Sequence, residues 1–139
     1  MKRSLRVPDG IFDGRKFGFA QVTVVPTPLG DAVHVSGQVA WDEGGKIVGK
    51  GDVGRQLQKS LENVAAALAS VGATLDQVGA LTLYIRQSHM KEGKAIGDAL
   101  KSVFGDNLPC STWIGVSSLA VEDLLIEVEP SVVFLPAKG

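Results

Sequence analysis

Val53, Leu57, Leu61, Val64, Leu68 and Val71 recur at spacings of four and three. That rhythm puts all six on one side of an α-helix of about five turns. An apolar stripe of that length must be buried against another layer. Asp52 stands at the N-cap position and Gly72 at the C′ position, so both ends are specified. The segments on either side alternate with a period of two instead. The partner layer is therefore a sheet.

The strands read as follows. Gln21 to Val25 is short and is stopped by Pro26 and Pro28. Asp31 to Val39 is a second strand. Asp42-Glu43-Gly44-Gly45 makes a turn, and Lys46-Ile47-Val48 a short return strand. After the helix, Thr74 to Gln77 has capping-box spacing and predicts one short turn. Val78 to Arg86 is a strand with Leu81, Leu83 and Ile85 on one face. A second helix spans Met90 to Phe104, with Ile96, Leu100, Val103 and Phe104 as its stripe. Gly93 and Gly97 weaken it by about 1 kcal/mol each relative to alanine. Past Pro109, Thr112–Ser118 and Leu124–Leu135 alternate as two more strands.

This order, ββ(β)αβαββ, predicts an α+β fold: one mixed sheet with two helices packed on one face. The other sheet face stays uncovered, and a partly apolar uncovered face is an assembly surface. The 139 residues fit one domain, with residues 1–16 as a polar N-terminal arm.

Composition excludes several functions. With 14 basic and 15 acidic residues the net charge is −1, against the basic excess of a nucleic-acid binder. The lone cysteine, Cys110, rules out an internal disulfide and a cysteine-rich metal site, and suits the reducing cytoplasm. No apolar run reaches the ~18 residues of a membrane span. Lys2, Arg3 and Arg6 are followed by Pro8, Asp9 and Gly10 rather than an apolar stretch, which argues against a secretory signal. No cofactor, metal, nucleic acid or membrane is expected.

Several motifs invite chemistry. Gly49-Lys50-Gly51-Asp52-Val53-Gly54 is a literal G-x-G-x-x-G. Asp52 would repel a pyrophosphate at the helix start, so a turn and a helix cap explain it better. His34 and Ser36 are two apart on one strand, about 6.5 Å, too far for direct activation. Two histidines and one cysteine do not make a usual zinc site. Cys110 reads as a small buried hydrophobe rather than a nucleophile. Glu127 and Glu129 share one face of a strand whose other face is apolar. Partial burial would raise a carboxyl pKa there and let it hold or deprotonate water; a solvated outer face is the alternative.

Read together, the motifs resemble the RidA/YjgF (reactive intermediate deaminase) family. Val35-Ser36-Gly37-Gln38-Val39 resembles its SGQ signature. Gln56, Ser60-Leu61 and Asn63 resemble its first-helix pattern. Gly72-Ala73 and Val78 resemble its following turn. Pro109, Thr112, Gly115-Val116, Leu119 and Ile126-Glu127-Val128-Glu129 resemble its closing segment. The resemblance runs from about Phe19 to Leu135. It implies a chorismate-mutase-like fold and a homotrimer with ligand clefts between subunits. Its archetypes hydrolyse 2-aminoacrylate-type enamines and imines to keto acids and ammonia.

Carried over by position, the resemblance implies catalytic roles for Glu129, which would position water, and for Ser36. It implies substrate binding by Phe19, Gly37, Ser111 and Trp113. The family's arginine falls on Ser111, its tyrosine on Phe19, a cysteine on Trp113 and a helix asparagine on Gly97. Arg86 and Arg15 are the candidate replacement cations. Pro130 removes a ladder donor beside Glu129 and predicts a bulge or an edge. No Lys or Arg occurs from Ser102 through Ala137. A charged hydrogen bond is worth about 1.5–3 kcal/mol, so losing the arginine argues against the archetypal substrate. Three readings follow: a cleft hydrolase of imines, enamines or related carbonyl compounds; a non-catalytic ligand-binding or regulatory trimer; and an endoribonuclease, which the acidic balance disfavours.

Overall fold

The computed structural model describes residues 2–137. Seven strands and two α-helices alternate along the chain: β1 (Ser4–Arg6), β2 (Val22–Thr27), β3 (Gly30–Val35), β4 (Gln38–Val39), α1 (Val53–Ala69), β5 (Val78–Arg86), α2 (Gly93–Phe104), β6 (Cys110–Val116) and β7 (Ile126–Pro136). They form one sheet in the order β1-β2-β3-β7-β5-β6, with β4 also paired to β7. β5 and β6 are parallel and every other pair is antiparallel. A parallel pair needs a long crossover, and α2 supplies it between β5 and β6. β4 and β5 flank β7 and are both antiparallel to it, so they also run the same way, and α1 is their crossover.

The expected stripe of α1 is the centre of the core. Val53, Leu57, Leu61, Val64 and Leu68 are buried, and Val71 packs against them. They meet Leu81, Leu83 and Ile85 of β5, Ile126 and Val128 of β7, and Ile96 and Leu100 of α2. Both helices thus cover one sheet face. The Asp52 carboxylate accepts the Arg55 N–H at 3.0 Å, as a cap should. At the other end Gly72 takes φ +74°; its N–H donates to Ala69 and that of Ala73 to Leu68, a Schellman closure. The G-x-G-x-x-G stretch is a turn and a cap. A short 3₁₀ turn covers Leu75–Gln77 as expected.

Several boundaries differ from the sequence reading: β2 runs through Pro26, expected to stop it, to Thr27, with Pro26 opposite Asp31, and β6 begins at Cys110 instead of Thr112. Ser4–Arg6, inside the expected polar arm, adds an edge strand to β2. The return strand at Lys46–Val48 reduces to a single bridge, Trp41 to Ile47. Helix α2 starts at Gly93 instead of Met90, because a 3₁₀ turn occupies Gln87–His89. The second strand is broken in two at Ser36-Gly37.

That break coincides with another. Val33 and Val35 are buried beneath the helices, but past Ser36-Gly37 the buried residues are Gln38 and Ala40. In β7, Ile126, Val128 and Pro130 are buried, and past Ser131 the buried residue is Val133. Both strands exchange faces at one level, and their register still agrees: Val33 pairs with Val133 and Gln38 with Val128. Pro130 has no N–H for the ladder, and β7 skips Ser131 opposite β5, where Ala80 pairs with Val132 and Leu81 with Pro130. The bulge expected from Pro130 is there.

The open face carries Thr23, Val25, Ala32, His34, Thr82, Tyr84, Glu127, Glu129, Val132 and Phe134. Val132 and Phe134 are 56% and 45% exposed.

Candidate functional site

The kink between β3 and β4 is held by side chains of the signature itself. Ser36 Oγ donates to the Ala20 carbonyl at 2.6 Å, and the Ser36 N–H donates to the Gln21 carbonyl. Gln38 Nε2 donates to Gln21 Oε1 at 2.7 Å and to the Ser36 carbonyl at 2.9 Å. Gln21 in turn donates to the Phe12 carbonyl at 2.7 Å. Gln21 and Gln38 are buried, and buried amides need such partners. The hydroxyl of Ser36 thus has a fixed donor direction and keeps its lone pairs for a ligand.

Gly37 has no spare room above it. A Cβ placed there would collide with the carboxyl group of Glu127. Glu127 sits on β7 opposite Val39 on one side and Tyr84 on the other, and Glu129 lies opposite Thr82. The two glutamates share the open face, as the alternation predicted. The pKa of Glu127 is raised, first by burial and second by the charge of Glu129. The alternation left both glutamates as candidates, and the resemblance gave the water to Glu129; the carboxyl that burial raises is that of Glu127. Only the non-local register of β4 on β7 brings it over Gly37, and no spacing in the sequence encodes that.

Phe19 and Gly37 line one small cavity, with Gln21, Gln38, Trp41 and Asn63 around it. Phe19 lies across Gly14, whose missing side chain makes room for the ring. Phe19 and Gly37 thus share a cavity, Ser36 bonds beside Phe19 to the Ala20 carbonyl, and Glu127 meets Gly37, with Glu129 two residues further along β7.

Ser111, Trp113 and Arg86 are not. Ser111 and Trp113 lie on the helix side of β6, opposite Leu81 and Leu83. Trp113 packs over Gly93 of α2, and its Nε1 donates to Ser111 Oγ at 3.1 Å. Ser111 borders a separate cavity of about 160 Å³ with Gly97, Leu100 and Pro109. Arg86 ends β5 on the open face; its Nε is buried without a hydrogen-bond partner. Arg15 is held by Asp13 in a two-pronged pair, Nη2 to Oδ2 at 2.7 Å. Cys110, expected to be buried, is exposed, because it begins the outermost strand.

Two residues that the resemblance quoted as pattern have structural work. Gln56 is fully buried; it donates to the carbonyls of Gly49 and Asp123 and accepts the Leu125 N–H at 2.9 Å. It ties the entry of α1 to the entry of β7. Asn63 donates to the carbonyls of Val39 and Trp41, both at 2.9 Å, and secures the chain just past the kink. Among the described residues, no three His, Cys, Asp or Glu side chains gather as a metal site would require, and no helix is long and apolar enough to cross a membrane.

The Endoribonuclease L-PSP family profile matches residues 18–134. A RutC family protein of Pyrococcus abyssi is 33% identical over 102 residues, covering 73% of this chain and 77% of that protein. The structure of protein YjgH superposes with a TM-score of 0.82 at 23% identity, covering 99% of this chain and 100% of that one. A Mycobacterium tuberculosis structure described as a member of the YjgF/UK114 family gives 0.74 at 23% identity over 95% of this chain and 99% of that one. At those identities the structures speak for the fold, and the fold they share is the chorismate-mutase-like α+β sheet. With the profile spanning the kink, both helices and the glutamate strand, the chain belongs to the RidA/YjgF family.

Proposed function

We propose that the protein is a homotrimer that binds a small molecule in clefts between its subunits and hydrolyses an imine, enamine or related carbonyl compound there. The observation that carries this is the half-buried carboxyl of Glu127 above Gly37, with Glu129 on the same strand face. Two acids of unequal surroundings can divide the work of acid and base. Glu129 orients a water and takes its proton. The water oxygen bonds to the imine carbon while the nitrogen gains a proton from Glu127. The carbinolamine nitrogen then takes the proton held by Glu129, the carbinolamine hydroxyl proton returns to Glu127, and the C–N bond breaks to release ammonia and leave a ketone or keto acid. The Ser36 hydroxyl, its proton committed to the Ala20 carbonyl, offers its lone pairs to an N–H of the protonated imine.

The exposed Val132 and Phe134 support assembly through the open face, since an apolar patch of that kind is a contact surface. Trimer formation would bring the β6 edge of one copy, with Ser111 and Trp113, toward the kink of the next. Serine at position 111, satisfied by Trp113, leaves no guanidinium for a carboxylate there. The archetypal 2-aminoacrylate is therefore not the expected substrate. The same observation favours a second reading, a ligand-binding trimer without turnover.

The test is a panel of imines generated in situ by an amino-acid oxidase or dehydratase, with imine loss followed spectroscopically. Accelerated loss of at least one imine other than 2-aminoacrylate is expected. No acceleration across the panel would leave the ligand-binding reading in its place.

A further inference from the structure

A groove of about 910 Å³ runs along the outer edge of the sheet, between β1 and the segment before β2. Lys2, Arg3 and Arg15 line it, with Phe19, Ala20 and Thr23. Leu5 pairs with Thr23, which pairs with His34, so this wall of the groove continues the open sheet face. The Ala20 carbonyl is the acceptor for Ser36 Oγ, so the groove borders the kink of the candidate site.

The charges are unbalanced. Residues 1–16 hold five basic and two acidic side chains in a chain of net charge −1. No acidic residue lines the groove. Among the described residues neither Lys2 nor Arg3 makes an ion pair. The adjacent acid, Asp13, is spent on Arg15, which holds its pKa at about 2. Cations gathered in a concave site concentrate field lines and attract anions. Guanidinium groups hold carboxylate and phosphate with paired hydrogen bonds. The half-exposed ring of Phe19 offers a flat apolar wall beside them.

We infer that this groove binds a small organic dianion, so that the molecule handled at the kink carries two negative charges, one end at Lys2 and Arg3 and the other near Phe19 and Ser36. This rests on the functional reading above and names its ligand class. The N-terminal segment then selects the substrate, and a dicarboxylic keto acid is the product form the groove recognises.

The test is titration of the full chain with 2-oxoglutarate at low salt, followed by backbone amide shifts, beside 2-oxobutanoate, inorganic phosphate and a single-stranded RNA. Shifts at Arg3, Arg15 and Phe19 are expected, with 2-oxobutanoate at least about tenfold weaker. Phosphate should compete with 2-oxoglutarate. The double variant Lys2→Ala, Arg3→Ala should lose about tenfold or more in affinity, Arg3→Glu at least as much, and 0.3 M salt should weaken the wild type. Lys94→Ala, on α2, should bind as wild type. Equal affinity for one and two carboxylates, silence of the groove amides, no competition by phosphate, unchanged binding by the double variant, or tighter binding of the RNA would each overturn the inference. The two readings fail separately. Binding with no imine turnover sinks the hydrolase alone; turnover with binding indifferent to Lys2 and Arg3 sinks the groove alone.

Discussion

The carboxyl group of Glu127 occupies the place that a side chain on Gly37 would take. A strand kink and a strand acid, 90 positions apart in sequence, are thereby one unit. The kink's backbone faces a carboxyl group that is half removed from water.

Gly37→Ala should therefore damage both fold and function. The methyl group must displace Glu127 or the kink, and overpacking of this kind costs about 1–3 kcal/mol. Thermal unfolding should show a lower Tm, and ligand affinity should fall with it. A Gly37→Ala protein with wild-type Tm and affinity would mean the carboxyl is free to move aside.

Glu127 should also write a pH dependence into stability. Its pKa is higher folded than unfolded, so the native state binds the proton more tightly. Stability is then full below the unfolded value, about 4.3, and declines as pH rises through the folded value. Glu127→Gln removes that decline. The variant should gain on the wild type as pH goes from 4 to 8, read from urea unfolding at each pH. A difference that stays flat or shrinks would contradict the burial that raises this group.

Gln56→Ala should be among the most destabilising changes away from the apolar core. It strips the buried Leu125 N–H of its acceptor and the Asp123 carbonyl of its donor, while the Gly49 carbonyl keeps the Asp52 N–H, a loss of about 2–3 kcal/mol. Urea unfolding should show it, while Glu62→Ala, on the exposed side of the same helix, stays within about 0.5 kcal/mol.

Much of this fold could be read from the chain. The stripe from Val53 to Val71 fixed a helix, and the alternation of Leu81, Leu83 and Ile85 fixed the strand it covers. Pro130 announced its own bulge, because a missing donor has one consequence in a ladder. The break at Ser36-Gly37 was not legible. Alternation continues through Val33, Val35 and Val39, and only pairing with a bulged partner shows that the faces exchange there. Ser4–Arg6 escaped for a different reason: three residues at an edge bury too little to leave a pattern. The candidate site was half legible. Resemblance named Ser36, Gly37 and Phe19; Gly37 and Phe19 share a cavity, and Ser36 bonds to the Ala20 carbonyl next to Phe19. The choice between Glu127 and Glu129 depended on which one the kink lies beneath, and that is a matter of register between distant strands.

The assembly is testable by mass. Three copies of a 14.6 kDa chain should scatter light as about 44 kDa. Phe134→Glu, placing a charge on the open face, should shift the protein toward monomer with its far-ultraviolet spectrum unchanged. A wild-type monomer at micromolar concentration would remove the cleft.

Glu127 and Glu129 should do chemistry on a bound small molecule. Single-turnover imine hydrolysis by wild type, Glu127→Gln and Glu129→Gln, each confirmed as the same oligomer, tests it most directly. Wild type should accelerate the reaction, Glu129→Gln should cut the rate about 100-fold or more, and Glu127→Gln should cut it with a changed pH profile. Wild-type acceleration that survives both substitutions would contradict it.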